Sequence, residues 1–338
     1  MTTIKDIARL SGYSIGTVSR VINHHPDVSE AARQRIEEII AQENFQPNSN
    51  AKMLKQQTDA PIAIIIRGYA NIFFESLLEK TQIILRSAHE EASVVFVDES
   101  ANEVQTAAQL HMSSHPKAFI FLGGNLEYFR SGFSAVDTPS VLLTNSAADL
   151  SFDQLSSYTT DDLEASACAV RYLIACGHRN IGIIGGSPES SGSQVGYRRL
   201  LGCRKAFNDK GVTFDEAAQY EPSRFSMEGG YQAATRLLKR SPQITAVFAL
   251  GDSIAIGAMR AIEDMGLNCP QDVSVIGYDG IAQGRYTVPR LTSIRQDVDA
   301  LARKGVEDLL VRLQYDRQAI HEIVPFELVE GESVFVKR

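Results

Sequence analysis

The sequence predicts a small helical head and a short connecting helix, followed by a two-lobed core of doubly wound parallel sheets. Three observations support this fold class. Residues 3–43 contain three short helical patterns separated by turn residues. A polar segment that contains proline follows them, and from Ile62 onward short apolar runs alternate with helical stretches. At 338 residues, 44% of them hydrophobic, the chain is long enough for two or three compact units.

The first two helical patterns lie within TIKDIARLSGYSIGTVSRVIN, residues 3–23. Thr3 is the expected N-cap of the first helix, with Asp6 completing a capping box. Gly12 can take the positive φ that ends this helix, and Ser14 is the expected N-cap of the second. Two helices joined by such a tight turn are typical of helix-turn-helix geometry.

The second helix has an outer face suited to a DNA groove. Val18, Val21 and Ile22 fall on one side, where we expect them to pack inward. Small and polar side chains remain around the outer face, and Arg20 is long enough to reach a guanine edge. The candidate DNA contacts of this segment are Ile15, Gly16, Thr17, Ser19, Arg20 and Asn23. The alternative is an ordinary helical hairpin with a solvated face.

Charge is distributed unevenly along the chain. The whole chain has a net charge of −8, whereas residues 1–56 carry seven basic and six acidic side chains and have a net charge of +1. A mildly basic head on an acidic body permits DNA binding at one end and disfavours non-specific binding elsewhere. No apolar segment is long enough to cross a membrane, and the N-terminus lacks the pattern of a secretory signal. We therefore expect a cytoplasmic protein with no membrane partner.

A third helix completes the predicted head, residues 1–46. Ser29 is its expected cap, and Ile36, Ile39 and Ile40 form its inward stripe. Pro47 ends this structure, after which residues 48–56 can form a short helix and residues 58–61 a linker. We assign residues 47–60 to a hinge helix and linker.

The rest of the chain alternates between strands and helices, which is typical of parallel sheets covered on both faces. The expected strands are 62–66, 93–98, 118–123, 141–145, 180–186, 246–250 and 273–279. The expected helices are 74–88, 103–113, 163–176, 197–210, 227–240 and 253–265. The run at 150–160 is polar and is not among the expected strands. We assign residues 61–160 plus 293–320 to an N-terminal lobe, and 161–292 plus 321–338 to a C-terminal lobe. Ligands of such folds bind at the carboxyl ends of the strands, here in the cleft between the lobes.

The sequence contains no evident motif for catalysis, a metal or a cofactor. The glycine-rich stretch at 182–193 lacks GxGxxG spacing, so a plain loop is favoured over a dinucleotide site. The seven histidines form no HExxH-type pair, and the four cysteines lack CxxC spacing. We expect a protein that is not an enzyme, with reduced thiols, no bound metal and no cofactor.

Polar residues at strand ends are the better candidates for ligand contacts. Asp279 ends one strand, Gly251 and Asp252 follow another, Thr144 and Asn145 end a third, and Gln296 with Asp297 follows LTSIR. Arg199 opens a helix. Carboxylate, amide and guanidinium groups that converge on a cleft suit the hydroxyls of a sugar, with Phe73 or Phe74 stacking on its apolar face. The alternative is that each group caps a helix or lies at the surface, with Asp252 in particular capping the helix from Ser253.

The head motif, the segment PNSNAKMLKQQ and the signatures GHRNIGIIGG, RLLGCRKAF, FALGDSIAIGAMRAI, VSVIGYDG and LTSIRQD resemble the lactose/galactose repressor (LacI/GalR) family. This resemblance spans nearly the whole chain in order. It implies a helix-turn-helix head, a hinge helix and a core similar to periplasmic sugar-binding proteins. It also implies a core that binds a small effector and forms a dimer.

The resemblance assigns roles to individual residues. It places Ile15, Gly16 and Arg20 at base-reading positions, and Thr17, Ser19 and Asn23 at supporting ones. In the hinge it aligns Leu54 with the leucine that wedges into the minor groove. The full set of expected DNA contacts is Thr3, Ser14, Ile15, Gly16, Thr17, Ser19, Arg20, Asn23, Asn48, Ala51 and Leu54. The expected effector contacts are Phe73, Phe74, Asn145, Arg199, Gly251, Asp279 and Gln296.

Two positions depart from the family pattern. Position 251 often carries a polar residue such as asparagine, and glycine removes one hydroxyl partner. Position 144 often carries aspartate, where this chain has Thr144 followed by Asn145. Gly16 offers no side chain at a base-reading position, so operator choice depends more on Ile15, Arg20 and DNA shape.

The expected function is a homodimeric repressor that binds a palindromic operator in double-stranded DNA and is released by a small sugar. A corepressor-dependent repressor that responds to a purine or a sugar phosphate is the alternative. A sugar-binding receptor is disfavoured because it would need export, and a nucleotide-dependent enzyme because the phosphate fingerprint is missing. No leucine heptads follow the core, so a dimer is expected rather than a coiled-coil tetramer.

Overall fold

The structure is a computed structural model that describes residues 4–22, 28–42, 60–69, 71–186 and 194–337. The chain divides into two compact units, residues 1–59 and 60–338. Among the described residues, no helix combines the length and the apolar character needed to cross a membrane.

The described residues of the first unit form three helices: α1 (Ile4–Ser11), α2 (Ile15–Ile22) and α3 (Glu30–Gln42). Gly12 has φ +76°, so the predicted turn between α1 and α2 is confirmed. The predicted cap on α2 is also confirmed, since the Ser14 hydroxyl accepts the N–H of Thr17 at 3.2 Å. The buried side chains that pack the three helices together are Ile7, Ala8, Val18, Val21, Ile36 and Ile39. The expected cap Thr3 and the hinge, residues 47–59, lie outside the described residues.

The N-terminal lobe is built on a six-stranded sheet in the order β11-β5-β4-β3-β1-β2, with every neighbouring pair parallel. Its strands are β1 (Ile62–Arg67), β2 (Ala92–Val97), β3 (Ala118–Leu122), β4 (Ser140–Leu143), β5 (Leu155–Thr160) and β11 (His321–Val324). Helices α4 (Ile72–Ser87) and α12 (Val298–Gln314) cover one face, and α5 (Glu103–Ser113) and α6 (Leu126–Gly132) cover the other. Short 3-10 turns occur at Phe133–Ala135 and Ala148–Leu150.

The C-terminal lobe repeats this plan with the order β12-β10-β9-β8-β6-β7, in which only β12 is antiparallel to its neighbour β10. Its strands are β6 (Ile181–Ile184), β7 (Tyr220–Glu221), β8 (Ala246–Ala249), β9 (Ser274–Asp279), β10 (Thr292–Gln296) and β12 (Phe326–Val329). Its helices are α7 (Asp162–Ala175), α8 (Val195–Asp209), α9 (Glu216–Gln219), α10 (Met227–Arg240) and α11 (Asp252–Asp264), with a 3-10 turn at Ala282–Arg285.

The polar run that ends the first lobe is a strand, contrary to expectation. All six residues of β5 are buried, and their hydroxyl groups have partners inside the fold. The Ser156 hydroxyl accepts from Arg312 Nη1 at 3.1 Å and from the Ile320 N–H at 3.0 Å. The Ser157 hydroxyl accepts the N–H of Ala147 at 2.9 Å. These bonds satisfy polar groups that would otherwise disfavour a buried strand.

The chain passes between the lobes three times, and two of these crossings differ from the expected boundaries. Strand β10, expected to begin the N-terminal lobe's second segment at 293, pairs with β9 in the C-terminal lobe. Strand β11, expected in the C-terminal lobe from 321, pairs with β5 in the N-terminal lobe. The crossings therefore fall at Asp161, Asp297 and Pro325, between the elements that flank each residue.

Candidate functional site

A cleft of 420 Å³ lies where the carboxyl ends of the two sheets face each other. Residues from both lobes line it because parallel strands present their carboxyl ends at one edge of each sheet. Thr144 follows β4 in the N-terminal lobe, and Asp279 and Gln296 end β9 and β10 in the C-terminal lobe. The predicted position of the ligand cleft thus agrees with the structure.

Five of the seven predicted effector contacts line the cleft: Phe73, Phe74, Arg199, Asp279 and Gln296. The structure does not place Asn145 in the lining. Its amide Nδ2 donates to the carbonyl of Gly124 at 3.1 Å, and its Oδ1 accepts the N–H of Ser146 at 2.9 Å. Thr144 lines the cleft instead, with φ +78°. This left-handed residue directly follows β4, and the next residue, Asn145, is buried within the lobe.

Arg199 forms the centre of a buried polar network on the C-terminal side. Its Nε donates to Asp162 Oδ1 at 2.8 Å, and its Nη1 donates to the carbonyl of Leu250 at 2.6 Å. The hydroxyl of Tyr278 donates to the same Asp162 oxygen at 2.9 Å. Since both charges are buried, these partners offset the cost of removing them from water. Arg199 is thereby fixed in one orientation.

Gln296 connects this network to the other lobe. Its Nε2 donates to Asp279 Oδ1 at 2.8 Å, and its Oε1 accepts from the hydroxyl of Thr160 at 2.9 Å. Thr160 and Gln296 are the residues that precede two of the three crossings. A ligand group that bonds Gln296 or Asp279 would therefore join the hydrogen bonds that connect the two lobes.

Asp279 has a backbone conformation that is rare for a residue with a side chain. Its φ is +114°, and residues held in such regions are concentrated at ligand sites. Burial raises the pKa of the Asp279 carboxyl to about 6, although Arg199 and Gln296 act in the opposite direction. The carboxyl consequently titrates closer to neutrality than an ordinary aspartate.

Asp252 does not cap the helix that follows it, so the capping alternative is wrong. The N-cap of α11 is Gly251, and Asp252 is the first helical residue. Its carboxylate accepts the N–H of Ile281 at 2.8 Å and the hydroxyl of Ser293 at 2.6 Å. Burial and the neighbouring Asp279 raise the pKa of Asp252 well above its ordinary value. This residue holds β9 and β10 in position beneath the cleft.

Gly251 lies directly behind the lining. A β-carbon there would be 3.1 Å from the Phe225 ring and 3.5 Å from Asp279 Oδ2. Phe225 itself lines the cleft, so its ring occupies the space into which a side chain at 251 would project. The glycine at position 251, which departs from the family pattern, thus leaves space for the aromatic ring of Phe225 in the cleft wall.

The sequence analysis missed several lining residues, including Arg67, Asn71, Glu99, Arg224 and Phe225. Arg67 ends β1 and Glu99 follows β2, so the strand-end rule that identified Asp279 applied to both. Arg224 and Phe225 follow β7, a strand of two residues. A strand of two residues shows no alternation of apolar and polar side chains, so the sequence did not predict it.

On the DNA side, the structure describes part of the predicted surface. The side chain of Arg20 is exposed on α2, and Thr17 is half-buried beside Ser14, whose hydroxyl lies 2.9 Å from that of Thr17. Ile15, Gly16 and Ser19 belong to α2 as expected. The other expected contacts, Thr3, Asn23, Asn48, Ala51 and Leu54, lie outside the described residues.

Within the described part of the chain, no group of three or more His, Cys, Asp or Glu side chains is arranged to hold a metal ion. The four cysteines are free thiols, two of them buried, as expected from their spacing.

Comparisons with known proteins identify the family. Residues 3–48 match the family described as bacterial regulatory proteins, lacI family, and residues 170–334 match a periplasmic binding protein-like domain. The transcriptional regulator MalR of Clostridium butyricum is 34% identical over 338 residues, covering 98% of this chain and 99% of its own. The chain belongs to the lacI family of bacterial regulatory proteins.

Other relatives of this lacI-family member support the same family assignment. The ribose operon repressor of Haemophilus influenzae is 31% identical, with 96% of each chain covered. The structure of the lac repressor dimer bound to operator and the anti-inducer ONPF matches with a TM-score of 0.71 and 24% identity over 99% of each chain. The predicted family and fold class are confirmed. This lacI-family protein is a transcriptional regulator with a DNA-binding head.

Proposed function

We propose that this lacI-family regulator is a cytoplasmic homodimeric repressor that binds a palindromic operator and releases it when a sugar occupies the interlobe cleft. The observation that carries the proposal is the convergence of Arg199, Asp279 and Gln296 on one cleft whose walls include Phe74 and Phe225. Asp279 and Gln296 offer oxygen acceptors, Arg199 offers donors, and the rings offer apolar faces. Adjacent hydroxyls above an apolar ring face have the matching chemistry.

The relatives support a sugar effector and repression. The relative from Haemophilus influenzae is named as a ribose operon repressor. The lac repressor structure is described as a dimer bound to operator, which supports a palindromic site read by two copies. We extend the sugar effector and the palindromic operator to this chain because it belongs to the same family.

Coupling between cleft and DNA is proposed to pass through the hinge. Residues 48–56 are too short to hold an isolated helix in water. Two such segments that meet in a dimer over bent DNA can stabilise each other, with Leu54 of each chain opening a base step. A ligand that binds one lobe arrangement more tightly shifts this equilibrium by its differential affinity, typically about 1–3 kcal/mol.

The test is operator binding at a fixed salt concentration, measured by fluorescence anisotropy with a palindromic DNA fragment. We expect nanomolar-range binding that one sugar weakens by about 5–150-fold. A Leu54→Ala variant is expected to lose operator affinity while its sugar affinity is unchanged. Unchanged operator affinity in Leu54→Ala would contradict the wedge. A ligand that strengthens operator binding would assign a corepressor instead.

A further inference from the structure

The cleft has a second group of charged side chains that the proposed function does not use. Arg199, Asp279 and Gln296 lie on the C-terminal lobe. Arg67 and Glu99 of the N-terminal lobe and Arg224 of the C-terminal lobe also line the cleft. Neither the sequence analysis nor the family resemblance assigned a role to these three, which we call the outer triad.

Arg67 is held in one orientation. Its Nε and Nη2 donate to the carbonyl oxygen of Glu99 at 2.8 and 2.5 Å. Its Nε also lies 3.9 Å from the buried carboxylate of Glu103, and its guanidinium carbon lies 5.9 Å from the centre of the Tyr128 ring. An arginine fixed from several sides loses little conformational freedom when a ligand binds.

Glu99 faces cationic groups of both lobes. Burial and the neighbouring Asp98 raise the pKa of the Glu99 carboxyl, whereas the guanidinium groups of Arg224 and Arg67 and the backbone N–H of Phe225 act in the opposite direction. The Glu99 side chain also packs beneath the turn after β1, because a β-carbon on Gly68 would lie 3.3 Å from Glu99 Cγ. The outer triad therefore combines an acceptor with two donors, and its members come from both lobes of the cleft.

The size of the cleft leaves room for a ligand at both groups. A volume of 420 Å³ falls within the range of about 300–1,000 Å³ that holds drug-sized ligands. A single sugar ring at Asp279 and Gln296 is smaller than a drug-sized ligand. The rings of Phe74 and Phe225 also line the cleft and provide apolar contact for a ligand of two rings.

We propose that Arg67, Glu99 and Arg224 form a subsite that binds the second ring of a neutral disaccharide effector. This inference rests on the proposed function, in which the cleft binds a sugar. The donors and the acceptor of the outer triad match hydroxyl groups, which can both donate and accept. Glu99 and the buried Glu103 beside Arg67 together match the two guanidinium charges, and Glu99 repels an anionic group, so the subsite selects against sugar phosphates.

Two substitutions separate the parts of this subsite. Arg224→Ala removes an exposed donor, and Glu99→Gln removes the negative charge while keeping the shape of the side chain. Glu99→Gln also leaves the subsite with an excess positive charge, since Glu103 faces Arg67 alone, and this charge favours phosphate. Glu91→Gln is the matched control, because Glu91 is an exposed acid that precedes β2, at the opposite end of that strand from Glu99 and outside the cleft lining.

The experiment is isothermal titration calorimetry on the full chain, with glucose, maltose and cellobiose, with galactose and lactose, and with trehalose and trehalose 6-phosphate. We expect at least one disaccharide to bind about tenfold or more tightly than its component monosaccharide. Arg224→Ala and Glu99→Gln should each remove most of that difference and leave monosaccharide affinity unchanged. Glu99→Gln should in addition bind trehalose 6-phosphate at least about tenfold more tightly than the unaltered protein. Glu91→Gln should behave like the unaltered protein.

Several results would overturn the subsite. One is an equal affinity for each disaccharide and its component monosaccharide. Another is a variant that weakens the binding of disaccharides and monosaccharides equally. Preference of the unaltered protein for trehalose 6-phosphate over trehalose would also contradict it. In each of these cases sugar-dependent operator release would still stand. If no sugar in the panel binds although the operator does, the proposed sugar response itself fails.

Discussion

The guanidinium carbon of Arg199 lies 3.6 Å from the centre of the Tyr278 ring, and both side chains donate to one oxygen of Asp162. A desolvated cation over an aromatic face gains about 2 kcal/mol or more. The ring, the carboxylate and the carbonyl of Leu250 together fix the guanidinium at the cleft wall. Arg199 thus acts as a rigid part of the binding surface.

The first prediction follows from that arrangement. Arg199→Met leaves Asp162 and Asp279 buried without their cation, so the free energy of unfolding should fall by about 3–5 kcal/mol. Urea denaturation monitored by circular dichroism measures this change. Arg198→Met, one position earlier and half-buried, is the control and should change it by less than about 1 kcal/mol. A double variant with Asp162→Asn should regain part of the loss; no recovery would argue against the pairing.

Gly251→Ala tests the link between Gly251 and Phe225. The backbone at Gly251 has φ −173°, so alanine is compatible with it. The added methyl group would lie 3.1 Å from the Phe225 ring and must displace it. We expect sugar affinity to fall about fivefold to tenfold, with a loss of unfolding free energy of about 1 kcal/mol. Gly132→Ala, where the added carbon would be 3.4 Å from Val104, is the control. Unchanged sugar affinity would show that Phe225 does not form the wall in solution.

The pKa of Asp279, raised by burial to about 6, predicts pH-dependent effector binding. Below that pH the carboxyl is protonated and becomes a weaker acceptor for sugar hydroxyls, so affinity should fall several-fold between pH 7.5 and 5.5. Titration calorimetry at several pH values measures this, and Asp279→Asn should abolish the dependence. An identical pH profile in Asp279→Asn would assign it to another group.

The raised pKa of Asp279 also makes the free energy of unfolding depend on pH. A carboxyl whose pKa is higher in the folded state than its unfolded value of about 3.9 binds protons preferentially when folded. The stabilisation from Asp279 is therefore fully present below about pH 3.9 and is lost as pH rises through about 6. Comparing the unfolding free energy of Asp279→Asn with that of the unaltered protein between pH 4.5 and 7.5 isolates this contribution.

Arg20 is expected to read a base in the operator. Arg20→Ala should reduce operator affinity by about 1–3 kcal/mol and relax the preference at one base pair. Arg35→Ala is the control, because Arg35 is exposed on α3 and its Nη1 lies 3.7 Å from Glu38 Oε2. Anisotropy titrations against operator variants distinguish the two. A uniform loss across all sequences would mean that Arg20 contacts phosphate only.

The sequence was sufficient for the parts of the fold that depend on local chemistry. The turn at Gly12 and the cap at Ser14 follow from backbone preference and from one hydroxyl, and both are confirmed. The position of the cleft, with Asp279 and Gln296 in its lining, follows from the rule that parallel strands present their carboxyl ends together.

Features that depend on distant contacts were not predictable in the same way. Strand β5 is rich in hydroxyl groups and becomes buried only because partners such as Arg312, far along the chain, satisfy them. The electrostatic attraction between the Glu99 carboxylate and the Arg224 guanidinium exists only because the two lobes face each other. Neither residue type nor spacing carries that information.

The exchange of strands at Pro325 has a consequence for engineering. Since each lobe takes one strand from the last stretch of the chain, β11 for one and β12 for the other, no single cut yields either lobe as an unbroken segment. A chimera that transplants a new ligand response must therefore carry residues 60–337 together, and shuffling one lobe alone would require at least two grafts.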